Sequence, residues 1–298
     1  MPATRLTPDV VARSRTLFGR VRSVHRAAVY VDLGPRTGIL VLAIDDVGGV
    51  PGGILLGGVT DLRPTGIERG MAFLPWADGW SIPTAGVTIE TSTARTWSPA
   101  LPAAARLTAG RRLARSADAA RTTAAGLAPV DGLGPLLSGR DRPGDPWLGV
   151  TRALIRRQLD ALRAGDGASA LGPTVDLVGL GTGLSPSGDD YLVGLLAGLE
   201  AIGHPAHRGI AAAIEATEPR RTTAIGRAML DHAARGAYVE RLHDVLIALA
   251  SGRPDGIGTA IARAMVYGAT SGADTLVGLF GAVDVATGSS AGGSMVAA

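Results

Sequence analysis

One nine-residue pattern occurs twice. Ser187-Gly188-Asp189-Asp190-Tyr191-Leu192-Val193-Gly194-Leu195 returns 84 residues later as Ser271-Gly272-Ala273-Asp274-Thr275-Leu276-Val277-Gly278-Leu279, identical at seven of nine positions. Ser-Gly-x-Asp ahead of an apolar run reads as a helix start: small polar residues lie at the free N–H groups, and an acid faces the positive end of the dipole. The repeat therefore predicts two equivalent helix N-termini, related by a pseudo-twofold, whose glycines at 194, 198, 278 and 281 let the helices cross closely. If the two starts converge on one pocket, Asp190 and Asp274 face each other while Ser187 and Ser271 supply hydroxyls. Duplicated capping without a shared site is the alternative.

The first copy is preceded by Gly179-Leu180-Gly181-Thr182-Gly183-Leu184-Ser185-Pro186. Ser185 or Ser187 as cap, Pro186 in the first turn and Asp189 and Asp190 against the dipole explain much of this without a ligand. Three alternating glycines exceed what a turn requires and point to bare backbone. N–H groups ahead of a helix suit a phosphate, a carboxylate or a developing oxyanion. The candidate binding residues are Gly181, Thr182, Gly183, Ser185, Gly188 and Gly272. Thr222 and Thr223, after Arg220 and Arg221, offer hydroxyls to an anion or simply start another helix. The segment lacks the lysine of a Walker loop, and Ser185-Pro186 stands where a dinucleotide fingerprint continues its helix.

Residue types narrow the chemistry further. The 298 residues include no Cys, Lys or Asn, so thiol nucleophiles, disulfides, Cys-ligated metals and Schiff bases are excluded. What remains is Asp, Glu, His, Arg, hydroxyls and backbone amides. The net charge is only +3, although residues 95–163 hold twelve Arg against five Asp. Aromatics, at 4%, are too few for nucleic-acid stacking. Neither a signal peptide nor an apolar run long enough for a membrane span is expected, which reads as a soluble cytoplasmic protein without nucleic-acid or membrane partners. His204, His207, His232 and His243 lack metal-ligand spacing.

The fold class expected is α+β. Residues 1–100 form a β-rich domain, a small antiparallel barrel or sandwich, with strands near 19–22, 28–33, 38–44 and 86–90 and a buried strand within 50–58. Gly34 to Gly38 is a hairpin turn, and Trp76 and Trp80 line a pocket or plug the barrel. Residues 101–298 form a larger, mainly helical domain, with helical spacing over 103–127, 146–164, 207–217, 219–235, 239–251 and 254–267. The Pro- and Gly-bearing stretch 128–145 reads as a loop that covers a site or merely connects, and 287–298 as a fraying end.

Taken with Thr222-Thr223 and the second motif, Gly179 to Gly194 resembles a family that includes the AllH-type subunit of oxamate carbamoyltransferase. The likeness spans roughly residues 15–285, with the distinctive motifs between 179 and 280. Ser185 stands where the family usually has Thr, Tyr191 where it has Phe, and Gly268-Ala269-Thr270-Ser271-Gly272 where it often has Gly-His-Ser-Ser-Gly. The resemblance implies carbamoyl transfer from oxalurate to phosphate, giving oxamate and carbamoyl phosphate, in anaerobic purine or allantoin breakdown. It also implies a hetero-oligomer with an acyl-CoA-synthetase-like subunit. On that reading the substrate is a small anion held at the glycine turn, and the catalytic candidates are Asp189, Asp190, Asp274, Ser187 and Ser271. A non-catalytic scaffold is one competing reading. A Mg²⁺-dependent hydrolase using the clustered aspartates is the other, and it alone brings in a cofactor.

Overall fold

The computed structural model describes residues 1–12, 16–34, 37–139 and 146–288. Pro35 and Arg36 of the expected hairpin turn, the end of the 128–145 stretch and the tail from 289 lie outside the described residues. The chain divides into two compact units, Met1–Pro99 and Ala100–Ala298. No helix among the described residues is long and apolar enough to cross a membrane.

The first unit contains β1 (Ala3–Leu6), α1 (Pro8–Ala12), β2 (Gly19–Val24), β3 (Ala28–Asp32), β4 (Ile39–Ile44), β5 (Gly53–Leu56), β6 (Ala72–Trp76), β7 (Gly79–Ile82), β8 (Val87–Glu90) and β9 (Arg95–Thr96). They form one sheet, ordered β8-β7-β6-β2-β3-β4-β5-β1-β9. The sheet curls into a half-barrel. The Met1 amino group donates to the Thr88 carbonyl at 2.6 Å, and the Glu90 amide donates to the Met1 carbonyl at 3.0 Å. Val29, Val31, Leu42, Ile54, Phe73, Ile82 and Ile89 fill its core.

The purely antiparallel expectation is corrected, since β4 pairs with β5 and β1 with β9 in parallel. The cause is the Asp45–Val47 turn together with Gly48 and Gly52 at φ +81° and +64°, which return the chain to the start of β4. β5 then runs beside β4 in the same direction and is buried along its whole length. The β6–β7 hairpin went unpredicted, because Pro75 and Gly79 break the alternating pattern that marks a strand. Of the two tryptophans there, Trp80 stacks on Phe73 in the core and donates to the Leu17 carbonyl, whereas Trp76 is 48% exposed.

The second unit is helical: α2 (Arg111–Leu127), α3 (Gly134–Ser138), α4 (Pro146–Arg163), α5 (Leu171–Leu177), α6 (Ser187–Ala201), α7 (His207–Glu215), α8 (Ala224–Ala234), α9 (Glu240–Ser251), α10 (Pro254–Met265) and α11 (Ser271–Thr287). Its interior is α6 and α11. Every residue of α6 except Glu200 is buried, and α11 is buried from Gly272 to Asp274 and again from Leu276 to Asp284. Helices apolar on all sides belong inside a bundle, and the outer helices present amphipathic faces to them.

The two central helices lie side by side with their N-termini together. A Cβ on Gly194 would meet the Thr275 carbonyl at 1.9 Å, and one on Gly278 would meet the Tyr191 carbonyl at 1.9 Å. These contacts are reciprocal in the 84-residue numbering. Gly198 faces Ala282 in the same register, whereas Gly281, expected at this crossing, lies against Leu159 of α4 instead. Outside the pair, a buried chain of polar groups joins three helices. The Tyr191 hydroxyl donates to Gln158 Oε1 at 2.8 Å, and Gln158 Nε2 donates to Thr174 Oγ1 at 2.6 Å.

Candidate functional site at the paired helix starts

The residues that lead into the glycines, Leu171–Leu177, form the short helix α5. Beyond it the backbone needs glycine three times, with φ of +75°, +119° and +102° at Gly179, Gly181 and Gly183. Such angles are ordinary for glycine and strained for other residues. The turn folds back until the Gly188 amide donates to the Leu180 carbonyl at 2.8 Å. A Cβ on Gly188 would meet the Leu177 carbonyl at 2.1 Å, and one on Gly272 would meet the Ala264 carbonyl at 2.1 Å. Each glycine thus lets its helix start press against the end of the preceding helix.

Neither Ser185 nor Ser187 caps α6, a correction to the expectation. Pro186 occupies the capping position and has no side-chain hydrogen bond to give. Ser185 instead donates to Asp190 Oδ2 at 2.9 Å, and its oxygen lies 3.1 Å from that of Ser271. The Ser271 hydroxyl also bonds Asp190 and lowers its pKa. Two half-buried hydroxyls, Ser185 from the turn before the first copy of the motif and Ser271 from the second copy, therefore sit above one fully buried carboxyl. Ser187, at the first position of α6, turns the other way and steadies Asp274.

The three aspartates are all 0% exposed but differently held. Asp189 accepts from the Gly179 amide at 2.7 Å and from the Thr222 hydroxyl. Both its oxygens are engaged, and it ties the glycine turn to the start of α8. Thr223 completes that tie, accepting from the Gly226 amide as the α8 cap and donating to the Leu184 carbonyl. Thr222 and Thr223 thus hold the turn rather than offer free hydroxyls. Asp274 Oδ1 accepts from the Leu133 amide at 2.6 Å. Asp190 Oδ1 and Asp274 Oδ2 are buried without a hydrogen-bond partner among the described residues.

Burial raises the pKa of all three. Asp190 stands well above the ordinary carboxylate range, first through desolvation and then through the neighbouring charge of Asp274, with the Ser271 and Ser185 hydroxyls opposing. Desolvation pushes Asp274 up to about 6 against the Leu133 amide and the Ser187 and Thr270 hydroxyls. Asp189 is raised by desolvation despite the bonds from Thr222 and Gly179 and the charge of Arg227. Perturbed carboxyls gathered at one place are a recognised mark of functional sites.

Above this layer the amides of Gly181, Thr182, Gly183, Leu184 and Ser185 donate to no group among the described residues. Thr182 and Gly183 are exposed. The Trp147 ring flanks the turn, with its Cζ2 3.4 Å from where a Gly181 Cβ would sit, and its buried indole N–H has no partner among the described residues. Sequence reasoning passed over Trp147, Leu133 and Gly132. A Cβ on Gly132, at φ +61°, would sit 2.7 Å from Asp274 Oδ1, so the described part of the 128–145 stretch reaches this carboxyl. Its Pro129, Gly132 and Gly134 were the only signal. Among the described residues no group of three or more His, Cys, Asp or Glu is placed to hold a metal ion.

Residues 177–283 match a family model described as oxamate carbamoyltransferase subunit AllH. The matched span runs from the last residue of α5 into α11 and contains the glycine turn, both motif copies and all three aspartates. No curated protein matches the chain. No solved structure matches it either.

Proposed function

We propose that the chain is a subunit of a carbamoyl-transfer enzyme that interconverts oxalurate plus phosphate and oxamate plus carbamoyl phosphate, in purine or allantoin breakdown. The observation that carries this reading is the coincidence of the matched span with a turn whose successive amides donate to no group among the described residues. Each of these compounds carries a carboxylate or phosphate group. Amides at a helix N-terminus bind such groups without the lysine this sequence lacks. Gly181, Thr182 and Gly183 would hold the anion beside Ser185. Gly188 and Gly272 seat the two helix starts against the ends of α5 and α10, and the two starts act as a pseudo-twofold pair around Asp190 and Asp274. Asp189, with Thr222 and Thr223, fixes the turn in place. The working enzyme would be a hetero-oligomer with an acyl-CoA-synthetase-like subunit.

Titration calorimetry with phosphate, oxamate and carbamoyl phosphate tests the reading. Heat with at least one of them, lost on Gly183→Val, is expected; no heat with any, alone or with Mg²⁺, refutes it. A scaffold reading has one observation in its favour, the complete burial of all three aspartates. Asp190→Asn separates the two. A folded, assembled and inactive variant marks chemistry, whereas lost assembly marks a scaffold.

A further inference from the structure

We propose that Asp190 and Asp274 form a one-proton pair in which Asp190 carries the proton, Asp274 stays anionic, and the Ser185 and Ser271 hydroxyls relay that proton to the ligand. Two buried oxygens, Asp190 Oδ1 and Asp274 Oδ2, lack a hydrogen-bond partner among the described residues. A buried acceptor left unpaired is costly, and two adjacent buried anions more so. One proton held by the pair removes one of the two charges and gives one orphan oxygen a hydrogen to donate.

The hydrogen-bond partners decide which aspartate holds it. Asp274 Oδ1 receives a backbone N–H from Leu133, a group that can only donate and so favours the carboxylate. Asp190 receives hydroxyls alone, from Ser185 and Ser271. A hydroxyl rotates and accepts as readily as it donates, so Asp190 keeps its partners in either protonation state. The charged surroundings point the same way. The charges that act on Asp190 are those of Asp274 and Asp189, both raising its affinity for a proton. Arg227 of α8 acts on Asp189, and Arg121 of α2 acts on Asp284 farther along α11. On α4, Arg163 acts on Tyr191, and on α10 Arg263 pairs with Asp244. Asp131, in the stretch before Leu133, is exposed.

Asp190 is fully buried and the two serines are half-buried, so the hydroxyls are its route to a ligand. This part rests on the carbamoyl-transfer reading. A phosphate oxygen attacks the carbamoyl carbon, forming C–O, and the C–N bond to the oxamate nitrogen breaks with its electron pair going to nitrogen. A serine hydroxyl gives that nitrogen its proton and is refilled from Asp190. The proton of the attacking hydrogen phosphate then returns through the same hydroxyls to Asp190. A carboxyl whose hold on its proton burial has raised well above the ordinary carboxylate range can both give that proton and take it back.

Isotope-edited infrared spectroscopy of the ligand-free full chain tests the pair without depending on activity. At pH 7 the carbonyl stretch of a protonated aspartic acid is expected, absent in Asp190→Asn. In Asp274→Asn it persists but titrates at lower pH, since the neighbouring negative charge is gone. Ionised carboxyls throughout at pH 7 in the wild type overturn the proposal, even if no variant folds. So does a band that survives Asp190→Asn and disappears in Asp274→Asn, or a pair that stays ionised and is ordered by Mg²⁺. A protonated Asp190 in a protein that binds none of the anions leaves the pair standing and removes the carbamoyl-transfer reading. In active enzyme, Asp274→Asn moves the alkaline limb of the pH profile downward.

Discussion

The tight contact between α6 and α11 yields a prediction of sign as well as size. A Cβ on Gly194 would lie 1.9 Å from the Thr275 carbonyl, whereas real Cβ atoms essentially never come within 3.0 Å of such an atom. Gly194→Ala therefore forces the two helices apart by about 1.1 Å, or bends one of them, in an interior that compresses little. Overpacking of this kind costs about 1–3 kcal/mol, and parting the helices forfeits close contacts along a fully buried seam. Alanine's better helix propensity returns up to about 1 kcal/mol. Gly258, in α10, supplies the control, because a Cβ there meets nothing within 4 Å. Gly258→Ala keeps the propensity gain and incurs no clash, so it should stabilise by up to about 1 kcal/mol.

The two substitutions, chemically identical and both within helices, share the propensity gain and should thus differ by the clash alone, roughly 1–3 kcal/mol. Urea unfolding followed by far-UV circular dichroism, which the helical unit dominates, measures this as a midpoint difference on the order of 1 M. Gly278→Ala should behave like Gly194→Ala. The double variant should lose less than the two singles together, because the first substitution already opens the seam for the second. A Gly194→Ala protein as stable as Gly258→Ala refutes the close crossing, and with it the placement of Asp190 near Asp274.

Two further outcomes concern buried polar groups. Tyr191→Phe removes the donor to Gln158 Oε1 and leaves that oxygen buried and unpaired, which should cost about 1–3 kcal/mol in the same urea assay; adding Gln158→Leu should recover part of it. Asp274, with a folded pKa near 6 against about 4 unfolded, binds its proton more tightly when folded, so its contribution to stability is lost as pH rises between those values. Asp274→Asn should therefore gain stability relative to wild type on going from about pH 4.5 to 8. His204 and His207, whose pKa burial lowers, act in the opposite sense in both proteins, so the readout is the difference between variants. An unchanged difference across that range refutes the raised pKa.

What could be read from residues alone followed from periodicity and repetition. The spacing over 146–164 and 239–251 predicts α4 and α9 closely, since an amphipathic helix writes its buried face into the sequence. The β6–β7 hairpin was not legible, because Pro75 and Gly79 are breakers locally and only pairing, of Pro75 with Trp80 in β7 and of Gly79 with Glu90 in β8, makes them strand residues. In the site, the motif repeat pointed to Asp190, Asp274, Ser187 and Ser271. It was silent on what holds them. Asp189 is anchored by Gly179 and Thr222, and Asp274 by the backbone of Leu133. A backbone donor 141 residues away has no residue type to announce it.

The repeat also explains why its two halves do not behave alike. Position 189 is aspartate in the first copy, and its counterpart, position 273, is alanine. The extra acid binds the glycine turn to α8 and adds a second negative charge beside Asp190. The second copy has no such acid. Its carboxyl is steadied by the Leu133 amide, which no residue of the first copy's surroundings supplies to Asp190. Two carboxyls in equivalent places, on helices alike over their first nine residues, are thereby given opposite preferences, one for a proton and one for a charge. A symmetric pair would divide a proton indifferently; this broken repeat directs it toward the aspartate that lies beneath the two surface-facing hydroxyls.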